Sequence, residues 1–167
     1  MRIPARTGSG RLMQANQNRT CGGCTACCDG WLRIEVRGHK VGDGTPCPFR
    51  SGDGCAIYHE RPQHPCREFV CGWLAAKSPL PDWMRPDKSG LIMLAADFVW
   101  RGLSVDVVVA AGQRPKRKAL QWLMEFSATN RRLLIYQMDG EWFAFGPPAF
   151  QADISQRVQC GETPWAG

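Results

Sequence analysis

Eight of the nine cysteines in this 167-residue chain fall between positions 21 and 71, and that crowding constrains the fold more than any hydrophobic pattern. They stand as Cys21, Cys24, Cys27 and Cys28 in the run Cys-Gly-Gly-Cys-Thr-Ala-Cys-Cys, then as Cys47, Cys55, Cys66 and Cys71. Two-residue gaps put successive thiols on one tight turn, within reach of a common metal ion or cluster. Gly22 and Gly23 permit positive φ and free backbone N–H groups to point at sulfur, an arrangement expected to lower the thiol pKa. Cys27 and Cys28 are neighbours whose side chains diverge. One can face the site built by Cys21 and Cys24 while the other faces a second site, or the far side of the same one. All eight are candidate metal ligands.

The donor chemistry leaves two cofactors. A Cys-x2-Cys-x2-Cys run suits an iron–sulfur cluster, whose irons are held by thiolates from one loop with a further ligand from elsewhere. Zinc tolerates the wider gaps of Cys47/Cys55 and Cys66/Cys71, because it asks only for four soft ligands. Spacing does not choose between them, although the first run is closer to the iron–sulfur pattern. The formal charge of +6, from 21 Lys and Arg against 15 Asp and Glu, omits the bound thiolates. A four-thiolate centre carries about −2, so one would leave the chain near roughly +4 and two near roughly +2. A polyanion partner is therefore less strongly indicated than the raw charge suggests.

Residues 1–20 carry Arg2, Arg6, Arg11 and Arg19 but no apolar run, so a secretory signal is not expected. No stretch approaches a membrane span in length. The expected location is cytoplasmic, where thiols stay reduced unless a metal claims them. The odd cysteine count also argues against a disulfide-stapled domain.

Along the chain, residues 1–19 read as a flexible basic tail and residues 20–167 as a single domain. Within it, residues 20–76 form the cysteine-cluster half, 77–90 a proline-rich linker, and 91–167 a small α+β half. Trp31 to Arg37 alternates as a half-buried strand, Gly38 to Pro48 is turn material, and residues 49–54 form a loop delivering Cys55. Gly54 permits close backbone approach to that sulfur. A short helix beginning at Pro65 would carry Cys66 toward Cys71. Leu91–Ala95 and Leu103–Ala111 read as strands with a turn at residues 100–102. Pro115 to Thr129 sets Leu120, Leu123, Met124 and Ser127 at helical spacing, with Asn130 as its stop. Arg131–Gln137 and Glu141–Phe145 flank Asp139-Gly140, a dipeptide suited to a tight hairpin. The fold class is α+β: an irregular cysteine-rich metal-binding half packed on a small antiparallel sheet with one main helix.

Beyond the cysteines, Cys47-Pro48, Gly54-Cys-Ala-Ile-Tyr58, Arg61-Pro62, Cys66-Arg-Glu-Phe69 and Cys71-Gly-Trp73 keep a particular order, followed by Arg85-Pro-Asp-Lys-Ser-Gly90. Over residues 21–111 this resembles the YkgJ-like CxxCxxCC family, described as a zinc- or iron-chelating domain. The resemblance implies metal binding by the cysteine cluster. The pattern departs at His64-Pro65, which lengthens the step to Cys66. Flagellin lysine methylases carry a similar cluster, but no Gly-rich cofactor loop is visible in this chain.

Three function classes follow. The first is a metal-binding protein used for electron transfer or sensing. The second is a metal-dependent modifying enzyme, for example in protein methylation. The third is a structural zinc module binding nucleic acid through Arg114-Pro-Lys-Arg-Lys118. That basic run sits where a helix begins, which favours an anion only if one binds there; a solvated face is the plainer account, and nucleic acid is not expected. A protein partner is left open. His39, His59 and His64 are alternative ligands, with hydrogen-bonding roles the simpler reading. Arg50, Arg61 and Arg67 suit neutralisation of thiolate charge, and Cys160 reads as a free thiol. No catalytic Cys–His pair or paired carboxylate stands out among Asp82, Asp87, Asp97 and Asp106.

Overall fold

The computed structural model describes residues 15–52, 54–112 and 114–165. Residues 1–14 of the basic tail, and Asp53 in the loop before Cys55, lie outside the described residues. The chain is α+β, with two small antiparallel hairpins and one larger mixed sheet.

The strand expected from Trp31 is shorter: β1 is Ile34–Val36, and it turns at Arg37-Gly38 into β2, His39–Val41. Both turn residues take positive φ, 49° and 81°, the conformation that suits a two-residue hairpin turn. β2 thus falls inside the segment read as turn. β3 (Arg50–Ser51) and β4 (Gly54–Cys55) form a second minimal hairpin. Beyond its two chain neighbours, nothing lies within 4 Å of where a Cβ on Gly54 would stand. Gln63–Arg67 forms one irregular helical turn, with His64 in extended backbone at φ −104° and ψ 132°, and it is capped at Glu68, short of Cys71.

The larger sheet runs in the order β5 (Leu91–Trp100), β6 (Leu103–Ala110), β7 (Leu133–Met138) and β8 (Glu141–Phe145). The sequence suggested an antiparallel sheet. The β5–β6 and β7–β8 pairs are antiparallel, but β6 and β7 are parallel, with Val105 opposite Leu133. The cause is α2 (Arg117–Thr129), which carries the chain back across the sheet so that β7 starts beside the start of β6. Residues Val105 to Ala110 are all buried, the pattern of a strand covered on both faces. Asp106 is accommodated among them by a two-pronged ion pair with Arg132 at 2.7 Å. At Asp139-Gly140 the chain takes positive φ at both residues, as a tight hairpin requires.

A second long helix, α3 (Pro148–Gln159), was not anticipated. Its signal was present: proline at the first helical position and Phe150, Ile154 and Val158 at four-residue spacing. The polar residues between them obscured it. Phe150 is fully buried and stacks edge-on against Trp100, whose indole donates to Asp153.

The proline-rich stretch 77–90 packs rather than spans. Leu80, Met84 and Ser89 are buried, and α1 (Pro86–Ser89) ends at Gly90 in left-handed conformation. Residues 15–19, read as the end of the tail, also join the fold. The Asn16 N–H donates to the Leu74 carbonyl, and Arg19 donates to the Trp73 and Leu80 carbonyls at 2.8 Å. The cysteine half is sewn to β5 by a bridge between Cys71 and Leu94 and by the Gly72 N–H on the Met93 carbonyl at 2.7 Å. Gly72 is required at that seam, since a Cβ there would stand 2.6 Å from the Met93 side chain.

Phe150→Ala should cost about 3–5 kcal/mol, the usual penalty for emptying an aromatic site in a core. Urea unfolding checks this: the midpoint should fall with the denaturant slope unchanged.

Candidate metal centre

The organising turn spans residues 21–29. The Cys24 N–H donates to the Cys21 carbonyl at 2.9 Å, and the Cys28 N–H to the Thr25 carbonyl at 2.7 Å. Asp29 closes the turn by accepting from the Thr25 hydroxyl at 3.0 Å and pairing with Arg50. Gly30 then bends the chain sharply. Its φ is +90°, and a Cβ would meet the Thr45 carbonyl oxygen at 2.6 Å, so only glycine fits. That close pass lets the Cys47 N–H donate to the Cys28 carbonyl at 2.8 Å.

Six of the eight candidate cysteines divide between two cores: Cys24, Cys27 and Cys71 pack with the main one, and Cys28, Cys47 and Cys66 with a small one around Val36 and Val41. The thiol of Cys27 is pushed well up by burial and then by the charges of Cys71, Cys24, Cys28 and Cys21. Cys71 is raised by burial and feels Cys21 and Cys24. By contrast Cys28 is pushed up to about 12 by burial and then by Cys47, Cys55 and Cys66. Cys66 is raised by burial and by Cys47 and Cys55. The adjacent residues Cys27 and Cys28 thus face different neighbours. All eight are free thiols, and Cys160 is exposed and apart at the end of α3.

The expected lowering of thiol pKa is not what these residues experience. Cys24, Cys27, Cys28, Cys66 and Cys71 all rise, with burial as the first cause. Backbone groups do lower two of these thiols, though not from the glycines. The backbone at Ala26 and Asp87 lowers the Cys24 thiol, and that at Leu74 and Trp73 lowers Cys71, in each case by less than burial raises it. Asp87 belongs to the first turn of α1, more than sixty positions from Cys24 in sequence. Trp73 is buried beside this group, and its indole nitrogen has no partner among the described residues.

Arginines flank both groups. Arg85 lies in the field of Cys24 and Cys21, with its guanidinium 3.7 Å from where a Cβ on Gly22 would stand. It is held by a bidentate bond to Asp87 at 2.6 Å. Arg61 and Arg37 lie in the field of Cys66. Of the arginines singled out in sequence, Arg61 thus faces a thiol. Arg50 instead pairs with Asp29, and Arg67 donates to the His59 carbonyl at 2.6 Å. Arg37 was missed because nothing local marks it. The histidines have other neighbours: His39 packs on Phe49, His59 on Tyr58, and His64 sits 3.2 Å from Glu68.

Three of the four aspartates resolve as structural groups, and Asp97 is exposed on β5. Asp82 pairs with Arg19, Asp87 with Arg85 and Asp106 with Arg132, and no pair of carboxylates faces a common point in these contacts. The basic run is partly spent, since Arg114 is paired with Asp139 and Lys118 lies over the Trp83 ring.

Among the described residues, no three Cys, His, Asp or Glu side chains already stand in an arrangement that would hold a metal ion. What suits a metal is the chemistry of the donor set: free thiols from eight cysteines, with arginines in the field of Cys21, Cys24 and Cys66. Near Gly30 a cleft of about 620 Å³ opens between the cysteine half and the sheet, walled by Trp31, Trp142 and Trp165. No described helix is long and apolar enough to cross a membrane.

The metal-free, reduced protein should ionise its thiols at higher pH than the same chain in urea. A thiol raised in the folded state leaves stability intact below its ordinary value of 9.0 and removes it as the pH climbs toward about 12. The ultraviolet thiolate band, followed with and without denaturant, checks the direction; coincident curves would contradict it. Comparison of the chain with family models, with curated proteins and with solved structures finds no match.

Proposed function

We propose that this chain is a metal-binding protein whose cysteine half holds an iron–sulfur cluster or zinc, used for electron transfer or sensing in the cytoplasm. The observation that carries the reading is the gathering of Cys21, Cys24, Cys27, Cys28, Cys47, Cys55, Cys66 and Cys71 around the turn 21–29, from exposed Cys21 to buried Cys47 and Cys71, with Cys27, Cys28, Cys66 and Cys71 raised by burial and then by neighbouring thiols. Burial and mutual repulsion both disfavour bare thiolates. A bound metal reverses that balance, because it takes the thiolate form and supplies the missing positive charge. Backbone at Ala26 and Asp87 favours the ionised form of Cys24, and backbone at Leu74 and Trp73 that of Cys71, as ligand sulfurs need. The resemblance to the CxxCxxCC family points the same way. When bound, the metal supplies either a structural tie or a redox couple. The residues of this chain orient the sulfurs, exclude water and balance charge.

The cleft beside Gly30 favours a second reading, a metal-dependent modifying enzyme, since its volume falls within the range of small-molecule sites. Saturable binding of S-adenosylmethionine would support that reading for protein methylation, and its absence at millimolar concentration would remove it.

Protein purified without oxygen should contain tightly held iron or zinc. A broad visible band near ~400 nm indicates an iron–sulfur cluster, and a colourless protein with stoichiometric zinc the alternative. Stripping the metal under reducing conditions should lower the melting temperature by more than about 10 °C, given the folding energy such sites contribute. Protein that retains no metal and melts unchanged after chelation would refute the reading.

A further inference from the structure

We infer that the eight cysteines build two separate four-thiolate metal centres, one from Cys21, Cys24, Cys27 and Cys71 and the other from Cys28, Cys47, Cys55 and Cys66, abutting at the Cys27–Cys28 peptide bond. This rests on the metal-binding reading above and specifies its ligand sets. A division by sequence would group 21, 24, 27 and 28 against 47, 55, 66 and 71. The fold exchanges one member of each group, sending Cys28 forward and bringing Cys71 back.

Packing makes the exchange. Cys24, Cys27 and Cys71 belong with the main hydrophobic core, alongside Leu32, Trp73 and Leu94. Cys28, Cys47 and Cys66 belong with a separate small core around Val36 and Val41. The first group is anchored to the sheet, since Cys71 bridges to Leu94 and the backbone of Asp87 in α1 acts on Cys24, lowering its thiol. Cys21 joins it through the turn that binds its carbonyl to the Cys24 N–H.

The second group is anchored only within the cysteine half. Cys47 is hydrogen-bonded to the Cys28 carbonyl, and its own carbonyl accepts the Arg50 N–H. Arg50 is the strand partner of Cys55 and pairs through its side chain with Asp29, next to Cys28. The turn bearing Cys66 packs against β1, which supplies Val36 to the small core.

Charge follows the same division. Each four-thiolate centre carries about −2 with a divalent ion. Arg85 faces the first set, and Arg37 and Arg61 face the second. Neighbouring α-carbons are about 3.8 Å apart, so the two centres share a single turn of backbone. Loading the second set ties the two hairpins together. Loading the first set locks that half onto the edge of the sheet.

The test is a cobalt(II) titration of the reduced full-length chain, read by thiolate-to-metal charge-transfer absorbance, followed by iodoacetamide labelling and mass spectrometry. Two equivalents are expected, with Cys160 labelled throughout. Cys21→Ser should bind one equivalent tightly and leave Cys24, Cys27 and Cys71 open to labelling while Cys28, Cys47, Cys55 and Cys66 stay shielded. Cys55→Ser should give the converse pattern. Because either variant can fail to fold, the unsubstituted chain at substoichiometric cobalt supplies a second measure: protection should rise in the same two blocks. A single equivalent shielding all eight cysteines, or blocks of 21–28 against 47–71, overturns the division while leaving metal binding intact. Failure to bind cobalt or zinc at all, with no iron or zinc in the isolated protein, overturns the metal-binding reading itself.

Discussion

The cysteine half depends on an unfavourable contact. Burial raises Cys27, Cys28, Cys66 and Cys71, and an ionised neighbouring sulfur would raise each of them further. Left bare, these side chains resist ionisation and contribute little beyond modest packing. With a cation among them, the same proximity becomes attractive. Around them the segments are short hairpins and single turns, with only the minor core of Val36, Val41 and Cys47 to hold one part together. Ligand bonds would therefore do for this half what interdigitated side chains do for the sheet.

The sheet half supplies the rigid reference. β6 is buried along most of its length, α2 and α3 pack on the sheet, and β5 offers its edge to Cys71 and Gly72. That edge contact meets two needs. It covers a strand edge that would otherwise present unpaired backbone groups, and it fixes the backbone of one candidate ligand to the buried sheet. α1 acts similarly, since its first turn brings the Asp87 backbone to Cys24 and places Arg85 beside Cys21 and Cys24. The stretch 77–90 is thus the second point at which the sheet half grips the cysteine turn. Its buried Leu80 and Met84 explain why a proline-rich segment holds a fixed path.

Much of this architecture was legible from residues 91 onward. Alternating or continuous apolar runs marked β5 to β8, Asp139-Gly140 marked a hairpin, and the spacing of Leu120, Leu123 and Ser127 marked α2. Strand direction was not legible, because a helical connection permits either sense and only packing selects one. α3 escaped notice because its buried positions are few and lie among glutamines. In the cysteine half, β2 was hidden in a polar run, and the turn at Gln63–Arg67 departs from helix at His64. Short elements there carry little local preference, so distant contacts decide their shape.

The sequence by itself determined the donor chemistry: eight thiols in a fixed order, a tight turn at 21–28, and neighbours at 27 and 28 whose side chains must part. Tertiary structure alone decided which core each cysteine packs in. That division depends on where Gly30 folds the chain back against Thr45 and where β5 captures Cys71. Both are close approaches between residues far apart in the chain, set by packing that no local pattern encodes. Spacing therefore constrains which elements the ligands can bind, and the fold determines how they are shared.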